Sequence, residues 1–502
     1  MASSREGSDT GLVLTALSLA LHTGATRVAT GRRRNGTTTR QHPARAEVVR
    51  HGRPTRRPAA RLAVIGLLAT LGACVDPGAA PVARTATERS LDRGPSDLVA
   101  CDPQNGGLTL PAGFCAVVVV KDVGFPRQMV VRANGDLYVA LDNSPSGVPG
   151  GILALRDTDG NGSADVRQTF GPTGGNGIAL RNDQLFFAPD DRVLRYDFSG
   201  NELVPSTGPV TTVSGLPSSG DHHRKSVVVD ASNGLLVNIG SATNSCQILN
   251  RTDFSPGINP CPELATRAGI WRFDASATNQ TQGDGMRFAT ELRNMNALAI
   301  NPIDQALYGV QNGRDQLWDN WPTLYTQQDD ALLPAEELFR IERGKRYGWP
   351  YCYYDGAKKL KLLNPEYGGN GSKVGRCESR QLPIDVYPAH WAPLSLLFYT
   401  GSQFPSQYAG GAFIAFHGSR FDPSLQPAGA GYVVAFVPWA NGKPSGPYQI
   451  FADNFAAGTS TPTGARHRAI GLAQGPDGSL YVSDDKGGWI WRIVYVGSQS
   501  NR

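Results

Sequence analysis

The chain has 502 residues, with 48 Lys and Arg against 43 Asp and Glu, a formal net charge of +5. A hydrophobic share of 40% with 18% charged residues excludes global disorder, and 59 Gly with 35 Pro point to many turns and few long helices. Residues 1–73 hold 12 Arg, no Lys and only three acids (Glu6, Asp9, Glu47), a balance of +9 that leaves −4 for everything after it. The basic character belongs to the front end alone, so no nucleic-acid partner is expected.

Residues 1–60 are rich in Arg, Thr, Gly and Ala and show no lasting hydrophobic period. Next, Arg53, Arg56, Arg57 and Arg61 precede an apolar run from Leu62 to Leu71, which ends Leu71-Gly72-Ala73-Cys74. A charged stretch, a short apolar stretch and small residues before a cysteine resemble a bacterial lipoprotein signal. That resemblance implies lipidation of Cys74, export to the cell envelope, and contact with a membrane through the lipid anchor alone. The run is about ten residues, too short for the ~20 of a spanning helix. Residues 74–107, rich in Pro, Ala, Arg, Ser and Asp, read as a tether.

From Leu108 a unit recurs in which two short apolar strands flank a tight polar turn. Examples are Met129-Val130-Val131 with Asn134-Gly135 and Leu137-Tyr138-Val139, and Val227-Val228-Val229 with Asn233-Gly234 and Leu235-Leu236-Val237. Asn-Gly and Asp-Gly pairs supply the positive φ that short hairpins need. Turn centres fall near residues 134, 182, 233, 304 and 477, with a degenerate copy at 408–415, and no helix-period segment of useful length intervenes. The pattern predicts an all-β fold, a six-bladed β-propeller of four-stranded antiparallel sheets over residues 108–496. A β-sandwich array is the alternative. Six cysteines follow Cys74, namely Cys101, Cys115, Cys246, Cys261, Cys352 and Cys377. An even number in an exported chain points to disulfides, in any of 15 pairings.

Two motifs suggest chemistry on their own. Asp157-Thr158-Asp159-Gly160-Asn161-Gly162-Ser163-Ala164-Asp165 places oxygen-bearing side chains at alternate positions, with Gly at the sixth, like an EF-hand calcium loop. Gln168 stands where the bidentate Glu would be, so Asp157, Asp159, Asn161, Ser163 and Asp165 form a reduced ligand set for a structural calcium. Gly220-Asp221-His222-His223-Arg224-Lys225 directly precedes a strand, where a His beside an Asp can serve as general base. Adjacent side chains of an extended segment point opposite ways, so only one His can face a channel.

Further segments follow in order: Leu292-Arg293-Asn294-Met295-Asn296, Gln311-Asn312-Gly313-Arg314, Tyr347-Gly348-Trp349-Pro350, His390-Trp391-Ala392-Pro393, Phe416-His417-Gly418-Ser419-Arg420 and Arg466-His467-Arg468. As an ordered set they resemble the glucose/sorbosone dehydrogenase family, soluble quinoproteins that use pyrroloquinoline quinone and calcium on a six-bladed propeller. The resemblance spans roughly residues 108–496. It implies oxidation of a sugar, an aldose or a sorbosone-like aldehyde. His222, beside Asp221, would take the hydroxyl proton while the quinone C5 receives hydride. Arg293 would stabilise the developing charge, with Asn294 beside it. The backbone carbonyls of Gly313 and Arg314 would hold a calcium ion against the quinone. His390, Arg420, Arg466 and Arg468 would contact the cofactor, guanidinium forks being suited to its carboxylates.

The chain departs from the family at Gly175, where glucose-type members carry a sugar-contacting Gln, and at His223. Sugar specificity is therefore left open, and His223 stands as a second candidate base. No haem attachment motif (Cys-x-x-Cys-His) occurs, so electrons would pass to a separate soluble or membrane acceptor. Two other function classes fit a propeller: a calcium-dependent lactonase or other hydrolase, and a non-catalytic ligand-binding module.

Overall fold

The structure is a computed structural model and describes residues 99–145 and 147–497. The signal-like segment and Cys74 lie outside the described residues. Short apolar strands separated by Gly, Asn and Asp turns assemble into six antiparallel sheets arranged in a ring, a six-bladed β-propeller.

Each blade begins with an inner strand: Pro126–Val131, Gly177–Arg181, Val227–Val229, Ala297–Ile300, Pro393–Phe398 and Ala469–Gln474. These six strands pack against one another around the central channel. The turn centres expected near 134, 182, 233, 304 and 477 fall between first and second strands, as in Val131↔Leu137 around Asn134-Gly135, where Gly135 adopts φ +92°. The copy expected at 408–415 runs instead into the second strand, Ala412–His417. Blade 2 differs from the four-stranded expectation. Gln280–Thr281 adds a fifth, parallel strand to its edge, pairing with Val213 and Ser214.

The ring is closed by the N-terminal strand. Phe114–Val120 pairs antiparallel with Trp489–Tyr495 and completes blade 6. Residues 99–107, expected as the end of the tether, pack against that strand. Asp102 N–H donates to the Ala116 carbonyl at 3.0 Å, and Trp491 Nε1 donates to Gly106 O at 3.2 Å. Fully buried aromatics, among them Phe413, Tyr399 and Phe455, fill the space between blades 5 and 6 with Phe114 and Phe404. Full burial of such a side chain contributes roughly 1.5–3 kcal/mol, so this joint is a main source of ring stability.

The disulfides join sequence neighbours: Cys101–Cys115, Cys246–Cys261 and Cys352–Cys377. The second and third close excursions from blades 3 and 4. The excursion at residues 345–381 carries its own hairpin, Cys352–Asp355 with Leu360–Leu363. Helix is confined to short pieces such as Leu317–Asn320 and Gln327–Leu332. Among the described residues, no helix is long and apolar enough to cross a membrane.

Candidate active site

Residues that immediately precede an inner strand, and residues that follow a second strand, meet at one end of the ring. His222, Arg293, Asn294, His390 and Arg468 come from the first kind of segment, and Asn312, Gly313, Asp315, Gly418 and Arg420 from the second. All of them line one cavity of ≈ 320 Å³, with Glu336, Ala392 and Pro462. A second cavity of ≈ 370 Å³ lies among the inner strands themselves, is lined by Met129, Ile178, Val227, Leu298, Leu396 and others, and carries no charged side chain. The chemistry therefore belongs to the first.

His222 sits against Gly240, where a Cβ would lie 2.5 Å from the His222 carbonyl and 2.6 Å from its Cβ. Only glycine permits that approach. His222 Nδ1 lies 3.1 Å from the Ser241 carbonyl and 2.9 Å from Ser241 Oγ, which itself donates to Thr243 O at 2.7 Å. Both Ser241 oxygens therefore act as acceptors, so Nδ1 carries the hydrogen and Nε2 keeps a free lone pair. Burial, aided by the Arg293 charge, holds the imidazole well below its ordinary range. His222 is thus a neutral imidazole in the cavity wall. His223 is turned away: its Nδ1 pairs with Gly220 O at 3.0 Å, its Nε2 lies 3.6 Å from Asp190, and it does not line the cavity.

Asp221 does not orient the base, contrary to expectation. Its carboxylate accepts from Arg251 Nε at 2.9 Å, and Ser241 takes the orienting role. Neighbours along a chain point apart, which carries Asp221 to the surface when His222 faces inward.

Arg293 is buried, and every one of its N–H groups has a protein acceptor. Nε donates to Asn244 O at 3.1 Å, Nη1 to Gly313 O at 2.6 Å and Asn312 O at 3.4 Å, and Nη2 to Asn244 Oδ1 at 2.8 Å and Asp315 Oδ2 at 3.1 Å. It contributes fixed positive charge rather than free donors. The same contact bears on the calcium site expected at Gly313 and Arg314. The Gly313 carbonyl is held by a guanidinium, which competes with a cation for that oxygen. Arg314 does not line the cavity; its side chain forms a buried pair with Glu366 at 2.6 Å. The Gly313 carbonyl is thus already engaged, and the Arg314 side chain is directed away from the cavity.

His390 gains charge. Burial opposes protonation, but Asp315, 3.6 Å from Nδ1, outweighs it and raises the imidazole above its ordinary value. Its Nε2 lies 2.7 Å from Asp330 O and 3.0 Å from Leu333 O, both acceptors. Glu336 is the opposite case. Burial pushes its carboxyl up to about 7, although it accepts from Gly313 N at 2.7 Å and Ala392 N at 3.2 Å.

Arg468 donates through Nε to His417 O at 2.8 Å and through Nη2 to Gly418 O at 2.9 Å, which leaves Nη1 open to a ligand. Arg420 is half-exposed and only loosely paired, 3.7 Å from Asp330 and 4.0 Å from Asp319. Arg466 is a correction to the sequence reading. It is exposed, lies over the Trp489 ring at 5.5 Å and is not part of the cavity wall.

The wall thus presents Arg293, Arg420, Arg468 and His390, whose imidazole Asp315 holds above its ordinary range, against Asp315 and a partly neutral Glu336. An acidic ligand suits that balance, and Arg468 Nη1, Arg420 and the Asn294 amide have no short hydrogen bond to the described residues. The tricarboxylate quinone expected from sequence fits this donor set. Sequence reasoning missed Ser241, Asp315 and Glu336. Asp315 stands one residue past Gln311-Asn312-Gly313-Arg314, and Glu336-Glu337 is an unusual acidic start to a buried strand; both were signals. It also missed an ion-paired cluster at the channel mouth, where His417 Nε2 meets Asp485 at 2.7 Å and Asp485 also pairs with Arg127.

In the outer hairpin of blade 1, carboxylate oxygens of Asp157, Asp159 and Asp165 lie within 4.8 Å of one another. Asp157 accepts from Gly160 N and Gly162 N, both at 2.8 Å. Asn161 Nδ2 donates to Asp159 Oδ2 at 2.9 Å and its Oδ1 accepts from Ser163 N at 2.8 Å, while Ser163 Oγ lies 3.3 Å from Val118 O.

Comparison with known proteins agrees with this architecture. An iodide structure of a Trichoderma reesei family AA12 carbohydrate-active enzyme matches with a TM-score of 0.62 and 21% identity, covering 78% of this chain and 98% of that one. The holo form of the pyranose dehydrogenase PQQ domain of Coprinopsis cinerea matches with a TM-score of 0.62 and 18% identity, covering 77% and 97%. An uncharacterized protein of Borreliella burgdorferi is 28% identical over 208 residues, 41% of this chain, and the chain spans about half (47%) of that relative's length. The profile of the TrAA12-like family matches residues 108–496, the whole ring of blades, and the chain belongs to that family.

Proposed function

We propose that the protein oxidises a sugar, an aldose or a related aldehyde, with pyrroloquinoline quinone held in the cavity between His222 and Arg468. When bound, pyrroloquinoline quinone supplies a two-electron acceptor for substrate hydride. The observation that carries this reading is His222, a neutral imidazole whose Nδ1–H is spent on Ser241 and whose Nε2 is left to accept the hydroxyl proton of a substrate. Arg468 and Arg420 hold carboxylates of the cofactor, and Asn294 offers a further donor. Arg293 adds fixed positive charge that favours the negative charge developing during hydride transfer, and His390 adds to it when protonated. Family membership supports oxidation chemistry on this ring. Calcium enters the proposal as a structural ion in the Asp157–Asp165 loop. Export and lipidation at Cys74 place the enzyme in the envelope, with a soluble or membrane acceptor taking the electrons.

The test is reconstitution with pyrroloquinoline quinone and calcium, read as the absorbance of the bound quinone and as dye reduction with a panel of sugars. His222→Asn is expected to abolish dye reduction, by at least about a hundredfold, while leaving quinone binding within a few-fold. Absence of quinone binding, or full turnover in that variant, would sink the proposal.

A further inference from the structure

The loop closed by Cys246–Cys261 carries Arg251, which touches Asp315 of the cavity wall. Arg251 has φ +56°, a left-handed backbone that a long side chain adopts only when its surroundings hold it, and its N–H donates to Gln247 Oε1 at 2.9 Å. The guanidinium spans two other loops. Nε donates to Asp221 at 2.9 Å, Nη1 to Gln316 Oε1 at 2.8 Å, and Nη2 to Asp315 Oδ2 at 3.3 Å. Asp315 Oδ2 also receives Arg293 Nη2 at 3.1 Å. The result is a ladder of alternating charge, Asp221–Arg251–Asp315–Arg293, with the base His222 next to its first rung and facing its last.

We propose that Arg251, outside the cavity wall, is a positioning residue for the base: it clamps the loop that carries His222 to the loop that carries Asp315 and acts on the imidazole through its charge. The inference rests on the reading of His222 as the base. The charged and titratable groups around His222 are few enough to assign. Its own loop gives Asp221, His223 and Arg224. The segment after strand Gly234–Ile239 gives no charge itself but is braced by Glu263, which accepts from Ala242 N and Thr243 Oγ1. Arg293 comes from blade 3's exit, Asp315 and Glu336 from blade 4, His390 from the entry to blade 5, and Arg420 and Arg468 from across the cavity. Among the described residues, Arg251 is the one cation paired with both Asp221 and Asp315.

Charge and loosening give different signatures. A loop that merely loosens lets water reach His222 and moves its titration upward, toward the ordinary value, whichever rung is broken. A charge effect is graded and signed. Loss of the positive charge favours imidazolium, reversal favours it more, and loss of the Asp221 carboxylate leaves Arg251 unneutralised and disfavours it.

The experiment follows the His222 ring signals by NMR in the full chain labelled at histidine, assigned by their absence in His222→Asn. Arg251→Lys is expected to titrate with wild type. Arg251→Gln is expected to titrate higher by roughly half a unit to one unit, Arg251→Glu higher still, and Asp221→Asn no higher than wild type. The acid limb of dye reduction against pH is expected to move in the same order. Equal shifts in Arg251→Gln and Arg251→Glu, an upward shift in Asp221→Asn, or no shift in any of them overturns the proposal. If one variant does not fold, the order among the others decides. The NMR readout needs no cofactor, so a protein that never reduces dye refutes the proposed function while the ladder is still judged on the titrations.

Discussion

Glu366→Gln keeps the shape of a side chain that is wholly buried, but removes the charge that answers Arg314. Glu366 accepts from Arg314 Nη1 with both oxygens at 2.6 Å, and Oε1 also accepts from Trp321 Nε1 and Ser245 Oγ, each at 3.1 Å. Arg314 is only 2% exposed and has no second carboxylate in reach, its remaining contacts being carbonyls of Asp315 and Gln316 and the Asn364 amide oxygen. Breaking such a pair strands a buried guanidinium, which costs about 3–5 kcal/mol. Unfolding entropy near ~2.1 cal/mol/K per residue gives about 0.8 kcal/mol/K for a propeller of this size, so the melting temperature is expected to fall by about 4–6 °C. Calorimetry on the single variants Glu366→Gln and Arg314→Met, and on the double variant Arg314→Met with Glu366→Leu, tests the reasoning. Each single variant is expected to lose more stability than the double, because the double leaves no unpaired charge. A single-variant cost under about 1 kcal/mol, or a double-variant cost equal to the sum, would refute it.

Three other outcomes can be measured directly. Lys225 is fully buried and donates to Pro217 O at 2.8 Å and to His223 O, and burial pushes its ammonium down to about 7. At pH 6 both folded and unfolded chains carry the proton, so folding bears the whole cost of burying it. As pH rises from 7 toward 10.5 the folded protein releases a proton that the unfolded chain still binds, and stability climbs. Lys225→Met is therefore expected to be least harmful at pH 6, with the wild-type advantage growing by up to roughly 4 kcal/mol by pH 10; a gap that shrinks with pH contradicts the burial argument. Arg468→Ala is expected to weaken binding of pyrroloquinoline quinone by about tenfold or more in a fluorescence titration, and Arg466→Ala by less than about twofold. The reverse order would return Arg466 to the cavity. Calcium is expected to raise the melting temperature and chelation to lower it, with Asp159→Asn removing the response; an unresponsive wild type ends the cation reading of the Asp157–Asp165 loop.

The ring was legible because its signals are local. Asn-Gly and Asp-Gly turns between short apolar strands mark the inner hairpins, and the segments entering the inner strands run past the cavity. His222, Arg293, His390 and Arg468, singled out by the family resemblance, do line the cavity. Arg466, expected at the cofactor from the family resemblance, faces outward instead. Here the chain is pinned by Arg466 N to Ala456 O and His467 N to Phe455 O, and the Trp489 ring captures the outer guanidinium. The partners that fix the site could not be read from spacing at all. Ser241 is 19 residues from His222, Arg251 is 64 from Asp315, and Glu366 is 52 from Arg314. Only the closed ring brings them together, and Asp221 looked like the base's partner because nothing local revealed Arg251.

Closure by Phe114–Val120 on Trp489–Tyr495 has a temporal consequence. The paired residues of that seam lie between 370 (Val120↔Ile490) and 381 (Phe114↔Tyr495) positions apart, so the first strand waits, unpaired, through the making of five blades. Its apolar face, Phe114, Ala116 and Val118 together with the aromatic cluster meant to receive it, stays open to wrong partners for that whole interval. The Cys101–Cys115 link can form at the outset and ties the waiting strand to the segment that later flanks it. A chain re-cut so that Phe114–Val120 follows Tyr495 directly would turn this long-range closure into an ordinary hairpin.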